Sequence, residues 1–327
     1  LFVPSTWLDL NGDVQDLVNE RKIRIQNYTP ADLDSYRELC GSAALEENWA
    51  GLGDANFVEL RLHKPNYSPY TDLFLAKAAG EGVVGFVDLT SELQIKRVVV
   101  DGFVHPRCRR QGIGEQLLSQ AGERIRELGA EVIHICLDED SKGARAFLLK
   151  QGFKEVRRYL LMEKTLLREW ECGRSDELEH LFHLGKGQEG LLADLQNRVF
   201  AGSWGFHPNS REDVCYYLAL TGIETQDVLL AKDGEKIVGY LWQQVVDDRQ
   251  YTTDAKRGWI HMFGVLDRYR GQKWGQRLLM SGLHRLVRQG VGRVDLTVDE
   301  KNQPAVNLYK NLDFTIKSHK IWYEKSV

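Results

Sequence analysis

The feature that most restricts what this chain can fold into is that it repeats itself. When 161 is added to residue numbers between about 100 and 153, the sequence meets itself without a gap. Val104 falls on Val265, Arg107 on Arg268, Arg109 on Arg270, Gln111 on Gln272 and Gly114 on Gly275. Leu117 and Leu118 fall on Leu278 and Leu279, Asp138 and Glu139 on Asp299 and Glu300, and Phe153 on Phe314. Chance supplies roughly three identities in such a window, so one unit has been duplicated. The 327 residues, 43% hydrophobic and 28% charged, suit two globular units of about 150 residues each. The expected division is an extension over 1–20, a first unit over 21–168, and a linker with the second unit over 169–327.

Within each unit, alternating and helical apolar patterns interleave. The first reads as a strand at Lys22–Gln26, then Thr29-Pro30 as a helix start carrying Leu33, Tyr36 and Leu39. A hairpin follows at Leu73–Ala78 and Val83–Leu89, turned by Gly80-Glu81-Gly82. A strand ending near Val104, a Gly-rich turn, a helix to about Leu128, a strand at Val132–Leu137, a helix at Ala144–Lys150 and a strand at Val156–Glu163 complete it. The second copy runs Val228–Lys232, Ile237–Val245, Trp259–Leu266, Lys273–Arg288, Arg293–Val298, Ala305–Asn311 and Thr315–Tyr323, with its first strand expected between Arg168 and Lys186. The fold class is α/β (α+β), with one mixed sheet flanked by helices per unit.

The turn Val104-His105-Pro106-Arg107-Cys108-Arg109-Arg110-Gln111-Gly112-Ile113-Gly114 lies between a strand and a helix. Such a turn aims backbone N–H groups and the positive helix end at one spot, which suits a pyrophosphate. Gly112 lets the backbone approach phosphates without a Cβ, Gly114 allows close packing of helix on sheet, and Arg109 and Arg110 add charge. A plain helix start or a dinucleotide loop would explain a single turn of this kind. Its recurrence as Val265-Leu266-Asp267-Arg268-Tyr269-Arg270-Gly271-Gln272-Lys273-Trp274-Gly275, without an early G-x-G-x-x-G, favours another reading.

The pattern Arg/Gln-x-x-Gly-x-Gly/Ala on strand, turn and helix resembles that of the GNAT superfamily of N-acetyltransferases. Arg109 to Gly114 fits it throughout; Arg270 to Gly275 fits except that Lys273 replaces the middle glycine. The resemblance implies acetyl-CoA as acyl donor, held by both turns, with Val104 and Val265 where a splayed strand offers a backbone N–H to the acyl carbonyl. It also implies an amine acceptor, either a small molecule or a peptide, acylated by direct attack without a metal. Asn302-x-x-Ala305-x-x-x-Tyr309 resembles the family's ending, with Asp313 at its glycine; Asn302 is then a cofactor contact or helix cap and Tyr309 the general acid. The first copy has Ser141 and Leu148 at those places. On the strand before the second turn, Trp259, His261, Phe263 and Val265 alternate onto one face, and His261, opposite Val100 of the first copy, is the titratable candidate for general base. The second unit is therefore the expected catalytic one. The alternative is a non-catalytic acyl-CoA-binding or regulatory tandem module.

The segment Asn197 to Pro208, with Phe200, Trp204 and Phe206 among glycines, reads either as an acceptor cleft, walled further by Trp242, or as packing between the units. Tandem fusion, this loop and the Tyr-bearing ending are similar to the mycothiol synthase branch, whose strand glutamate is replaced here by Trp259. The net charge of −4 weighs against nucleic acid or a membrane surface as partner. The five cysteines are scattered without metal spacing and no apolar run reaches about 20 residues, so a cytoplasmic location is expected.

Overall fold

A computed structural model describes residues 23–47, 54–166, 180–246 and 256–327. The expected extension 1–20, Lys22, Cys172 and most of the linker lie outside the described residues. The first unit comprises β1 (Ile23–Asn27), α1 (Leu33–Glu47), α2 (Ala55–Arg61), α3 (Pro69–Asp72), β2 (Leu73–Ala78), β3 (Gly82–Glu92), β4 (Arg97–Val104), α4 (Ile113–Glu127), β5 (Val132–Asp138), α5 (Lys142–Lys150) and β6 (Lys154–Thr165). The second comprises β7 (Leu181–His183), α6 (Glu189–Val199), α7 (Arg211–Thr221), β8 (Val228–Asp233), β9 (Lys236–Val246), β10 (Arg257–Val265), α8 (Trp274–Arg288), β11 (Arg293–Asp299), α9 (Gln303–Lys310) and β12 (Thr315–Ser326). The offset of 161 carries α4 onto α8, β5 onto β11 and β6 onto β12 residue for residue.

Local chemistry starts and stops these elements. Thr29 N–H donates to Asp32 Oδ2 at 3.0 Å ahead of α1, which satisfies a donor that the helix leaves free. Gly80 and Gly82 both take φ +77° in the β2–β3 turn, a conformation costly for a side chain with a Cβ.

The mixed α/β class holds, but the two sheets are joined. The strand order is β1-β2-β3-β4-β5-β12-β6-β11-β10-β9-β8-β7. The last strand of each unit has crossed into the other: β12 pairs antiparallel with β5, and β6 pairs antiparallel with β11. The two exchanged strands also pair with each other. A unit keeping only its own sequence has one strand after α5 or α9, and the exchange pairs β5 and β11 as well as the strands that cross. The cores record the crossing. Leu160, Met162 and Leu166 are buried among the second unit's Leu278, Leu296 and Phe314, while Ile321 and Tyr323 are buried among the first unit's Leu117, Ile133 and Phe153. Each such side chain contributes about 2 kcal/mol of apolar burial. Arg157 Nη2 donates to Asp299 at 2.6 Å and Lys320 Nζ to Asp138 at 2.7 Å, adding ionic contacts across the seam.

Helices cover both faces. In the first unit α4 and α5 pack on one side through Leu117, Ile125 and Leu148, and α1 and α2 on the other through Tyr36, Leu39 and Val58. The second unit matches this, with α8 and α9 on one face and α6 and α7 on the other.

Candidate active site

Each unit contains a wedge. The parallel strands β4 and β5 pair only from Arg97↔Val132 to Val99↔His134, although both continue beyond. Likewise β10 and β11 pair from Arg257↔Arg293 to Ile260↔Leu296, then part. Past Ile260 the edge of β10 that faced β11 carries backbone N–H and C=O groups without ladder partners, a place where an N–H can meet a ligand carbonyl.

Both wedges end in a cradle. In the first, Arg110 (φ +65°) and Gly112 (φ +77°) are left-handed, and α4 starts at Ile113. In the second, Gly271 (φ +74°) and Lys273 (φ +65°) are left-handed, and α8 starts at Trp274. The two turns thus share one backbone, and the glycine and non-glycine positions are interchanged. A Cβ on Gly271 meets nothing within 4 Å, and one on Gly112 meets only Gln116 Nε2 at 3.9 Å, so both cradles stand open. The first-turn amides of α4 and α8 complete a site that fits a pyrophosphate.

The side chains of the turns also make hydrogen bonds within them. Arg109 Nε donates to Val104 O at 2.9 Å, and Arg270 Nε to Val265 O at 3.3 Å. Gln111 and Gln272 donate to the carbonyls of Arg107 and Arg268 at 3.4 and 3.0 Å. These four hydrogen bonds tie each turn to itself, and Arg110 and Lys273 stand exposed at the left-handed corners. The side chains of Ile113 and Trp274 are buried, so these residues offer backbone only. Gly114 faces Phe147 of α5, 3.5 Å from a Cβ built there, rather than the sheet as expected, and Gly275 faces Phe263 at 3.3 Å and Leu308 at 3.6 Å. Asn302 caps α9, accepting from Ala305 N–H at 3.3 Å.

A bulge at His261 divides the face expected to hold Trp259, His261, Phe263 and Val265. Ile260 pairs with Gln243 and Met262 with Trp242, leaving His261 as the extra residue. His261 hydrogen-bonds Gln244, which is paired with Trp259, so these lie on the α6–α7 side. Phe263 and Val265 pack with the core on the α8–α9 side. Tyr309 is on that side too, 5% exposed, with its ring 6.3 Å from Phe263 and 5.7 Å from Phe314. His261 and Tyr309 therefore approach the wedge from opposite faces.

Gln244, which the sequence reading did not single out, sets the state of His261. Its amide nitrogen donates to Thr221 O, which turns Oε1 toward the imidazole, 2.8 Å from Nε2. Nε2 must then carry the hydrogen and Nδ1 the lone pair. Burial between Trp242 and Trp259 pushes the imidazole down to about 4, so it is neutral at pH 7. Burial also raises Tyr309, which keeps its proton. The alternation of the hairpin places Gln244 and Trp242 on one face, a signal that could have identified this partner.

In the first unit, where β4 runs without the bulge, the positions that match in sequence are Val100 and Leu148, both buried on the α4–α5 side. Its acceptor side is instead taken by ion pairs: Arg61 Nη2 lies 2.9 Å from Asp88 and 3.1 Å from Asp101, and Lys64 Nζ lies 3.2 Å from Asp88. These side chains come from separate elements, and no local pattern announces them. Trp204 of the second unit's loop also packs there, against His134, Tyr159 and Trp322, with ring centroids at 5.2, 6.4 and 5.9 Å.

The family model described as "Acetyltransferase (GNAT) family" matches the chain twice, over residues 34–153 and 191–314. A mycothiol acetyltransferase of Corynebacterium glutamicum is 30% identical over 68% of this chain and 73% of its own length. Another, from Thermobispora bispora, is 26% identical over 91% of this chain and 97% of its own. A tandem GNAT protein from the clavulanic acid biosynthesis pathway superposes with a TM-score of 0.69 at 16% identity, covering 93% of this chain and 98% of that one, and shares the fold. With the wedge and cradle present in each half, the chain belongs to the GNAT acetyltransferase family and is an acyl-CoA-dependent acetyltransferase.

Proposed function

We propose that the second unit, within 169–327, catalyses transfer of an acetyl group to the primary amine of a small molecule, and that the first, within 21–168, supports it. The observation that carries this is the placement of His261 and Tyr309 on opposite faces of one wedge, while the residues matching them in sequence, Val100 and Leu148, are apolar and share one face of the other unit. Acetyl-CoA supplies an activated acyl carbonyl. The residues that fit it are the cradle Arg270 to Gly275, whose first-turn amides suit the pyrophosphate, and Val265 with the unpaired edge of β10, where a backbone N–H polarises the carbonyl. His261 Nδ1 takes the proton that the amine loses as the new N–C bond forms. Tyr309 holds a proton at its hydroxyl for the leaving sulfur. The two transfers balance, one proton removed and one supplied. An imidazole kept neutral by burial is ready to accept at pH 7.

The mycothiol acetyltransferases among its relatives support a small-molecule amine rather than a peptide, and Trp259, where that branch is expected to carry a glutamate, leaves His261 as the base of this chain. The first cradle, Arg109 to Gly114, has the same open backbone and is assigned a second acetyl-CoA. Among the described residues no helix is long and apolar enough to cross a membrane. The free thiols of Cys40, Cys136 and Cys215 support a reducing, cytoplasmic setting. Thiol release from acetyl-CoA with a panel of amines tests the activity. Turnover abolished by Gly112→Glu but untouched by Tyr309→Phe would place catalysis in the first unit and overturn this reading.

A further inference from the structure

The segment between α6 and α7 touches three places that matter. At its start, Val199 O accepts from Arg270 Nη2 of the second cradle at 3.3 Å. Val199 and Phe200 press on Gly264 of the wedge strand, where a Cβ would collide with the valine. Phe200 stacks on Phe206 with centroids 5.4 Å apart. In the middle, the chain crosses to the first unit. Gly205 O accepts from Arg97 Nη2 at 2.6 Å, and Trp204 enters the box made by His134, Tyr159 and Trp322. Arg97 is 5% exposed and is itself held by Glu92, so this donor is fixed before the loop meets it. At its end, Asn209 exchanges two hydrogen bonds of 2.8 Å with Asn197 of α6.

Beneath the segment lies a cavity of about 470 Å³ between the units, bounded by Ile95, Arg97 and His134 on one side and Gly202, Gly205 and Phe206 on the other. The middle of the loop therefore borders a cavity and meets the first unit through Trp204 and Gly205. Gly264 points toward Val199 from the face that carries Tyr240, its partner across the hairpin, and that face also carries Trp242 and His261.

We propose that the first unit sets the position of residues 200–209, the segment on the acceptor side of the second unit, through Arg97 and the aromatic box around Trp204. This rests on the reading of the second unit as catalytic. Trp204, Gly205 and Arg97 are positioning residues: they touch neither the wedge nor the cradle, and they act through Phe200 and Phe206. The first unit is then kept not for turnover but as the anvil against which the acceptor side of the second is shaped. A displacement of about 1 Å in such an element is enough to lower the efficiency of a reaction by orders of magnitude.

The test uses the full chain and compares Trp204→Ala, Trp204→Phe and Gly205→Ala. At Gly205, which has φ +66°, an added Cβ meets Arg97 Nη1 and pushes the guanidinium off the carbonyl while leaving the aromatic box in place. Thiol release is measured with glucosamine, putrescine and a lysine dipeptide, and acetyl-CoA binding by calorimetry. The acceptor KM should rise about tenfold or more in Trp204→Ala and Gly205→Ala, with Trp204→Phe close to wild type and the acetyl-CoA Kd unchanged. An unchanged acceptor KM in either variant overturns the inference, as does an equal loss of acceptor and acetyl-CoA affinity, the mark of general unfolding. Wild-type turnover in Tyr309→Phe instead removes the reading of the second unit as catalytic beneath it.

Discussion

The two units share one backbone and differ in what stands on it. From the cradle to the final strand, elements coincide at a constant offset, down to the pair of left-handed residues in each turn, whereas the bulge at His261 in β10 has no counterpart in β4. Where the second unit places a neutral imidazole and a phenol beside its wedge, the first places Val100 and Leu148, both buried in its core. On the proposed assignment, acyl-group chemistry resides in a handful of side chains, while binding geometry resides in the backbone and is copied with the fold.

The largest effect that tests this comparison is at Tyr309. Tyr309→Phe keeps the ring among Phe263 and Phe314 and removes only the hydroxyl with its proton. We expect kcat to fall about 10²- to 10³-fold with acetyl-CoA affinity unchanged, and Leu148→Tyr to restore nothing. A Tyr309→Phe enzyme with normal kcat would erase the distinction between the units.

Next comes His261. His261→Gln should lower kcat about 10²-fold, and it carries a second signature. The folded imidazole sits near 4 against an unfolded value near 6.5. Its contribution to stability is complete above about pH 6.5 and is lost as pH falls through that window toward 4, because the unfolded chain binds the proton first. The loss is on the order of 3 kcal/mol, so unfolding midpoints of wild type and His261→Gln should converge on acidification between those values. Parallel curves would place His261 in a more solvated setting than the bulge provides.

What was legible from the residues follows the same division. The duplication, the elements and both turns could be read because they depend on local periodicity and on glycine and proline chemistry. The exchange of β6 and β12 could not, since both strands are copies of one sequence and either β5 or β11 accepts either of them by pattern alone. The bulge at His261 was hidden for a related reason: strict alternation puts His261 with Phe263, and only the pairing with β9 shows the extra residue. Trp204 was readable as an aromatic beside glycines, but its box is assembled from β5, β6 and β12, remote in sequence.

Affinity at each cradle gives a smaller effect. Gly112→Glu and Lys273→Glu each bring a carboxylate to the corner of one turn, against the helix end that suits an anion. Calorimetric titration with acetyl-CoA should show two sites in the wild type and a loss of about tenfold in affinity at one of them in each variant. Tyr309→Phe should leave both sites intact. A single site that only Lys273→Glu weakens would confine the cofactor to the second unit.

The smallest effect probes the interchange of glycine between the turns. Arg110 and Lys273 hold φ +65°, a conformation costing a residue with a Cβ about 1 kcal/mol, offset in part by the greater freedom of glycine in the unfolded chain. Arg110→Gly and Lys273→Gly should each stabilise the chain by a few tenths to about 1 kcal/mol in denaturant titrations, while Gly112→Ala and Gly271→Ala should each destabilise it by about as much. Because neither added methyl meets anything closer than 3.9 Å, the cost is one of backbone conformation and not of contact. Similar shifts at all four corners would show that the departure at Lys273 is matched by the one at Arg110. If Lys273→Gly alone raises stability, the second cradle is the strained one, and acetyl-CoA affinity in that variant then separates the strain of the turn from the charge it carries.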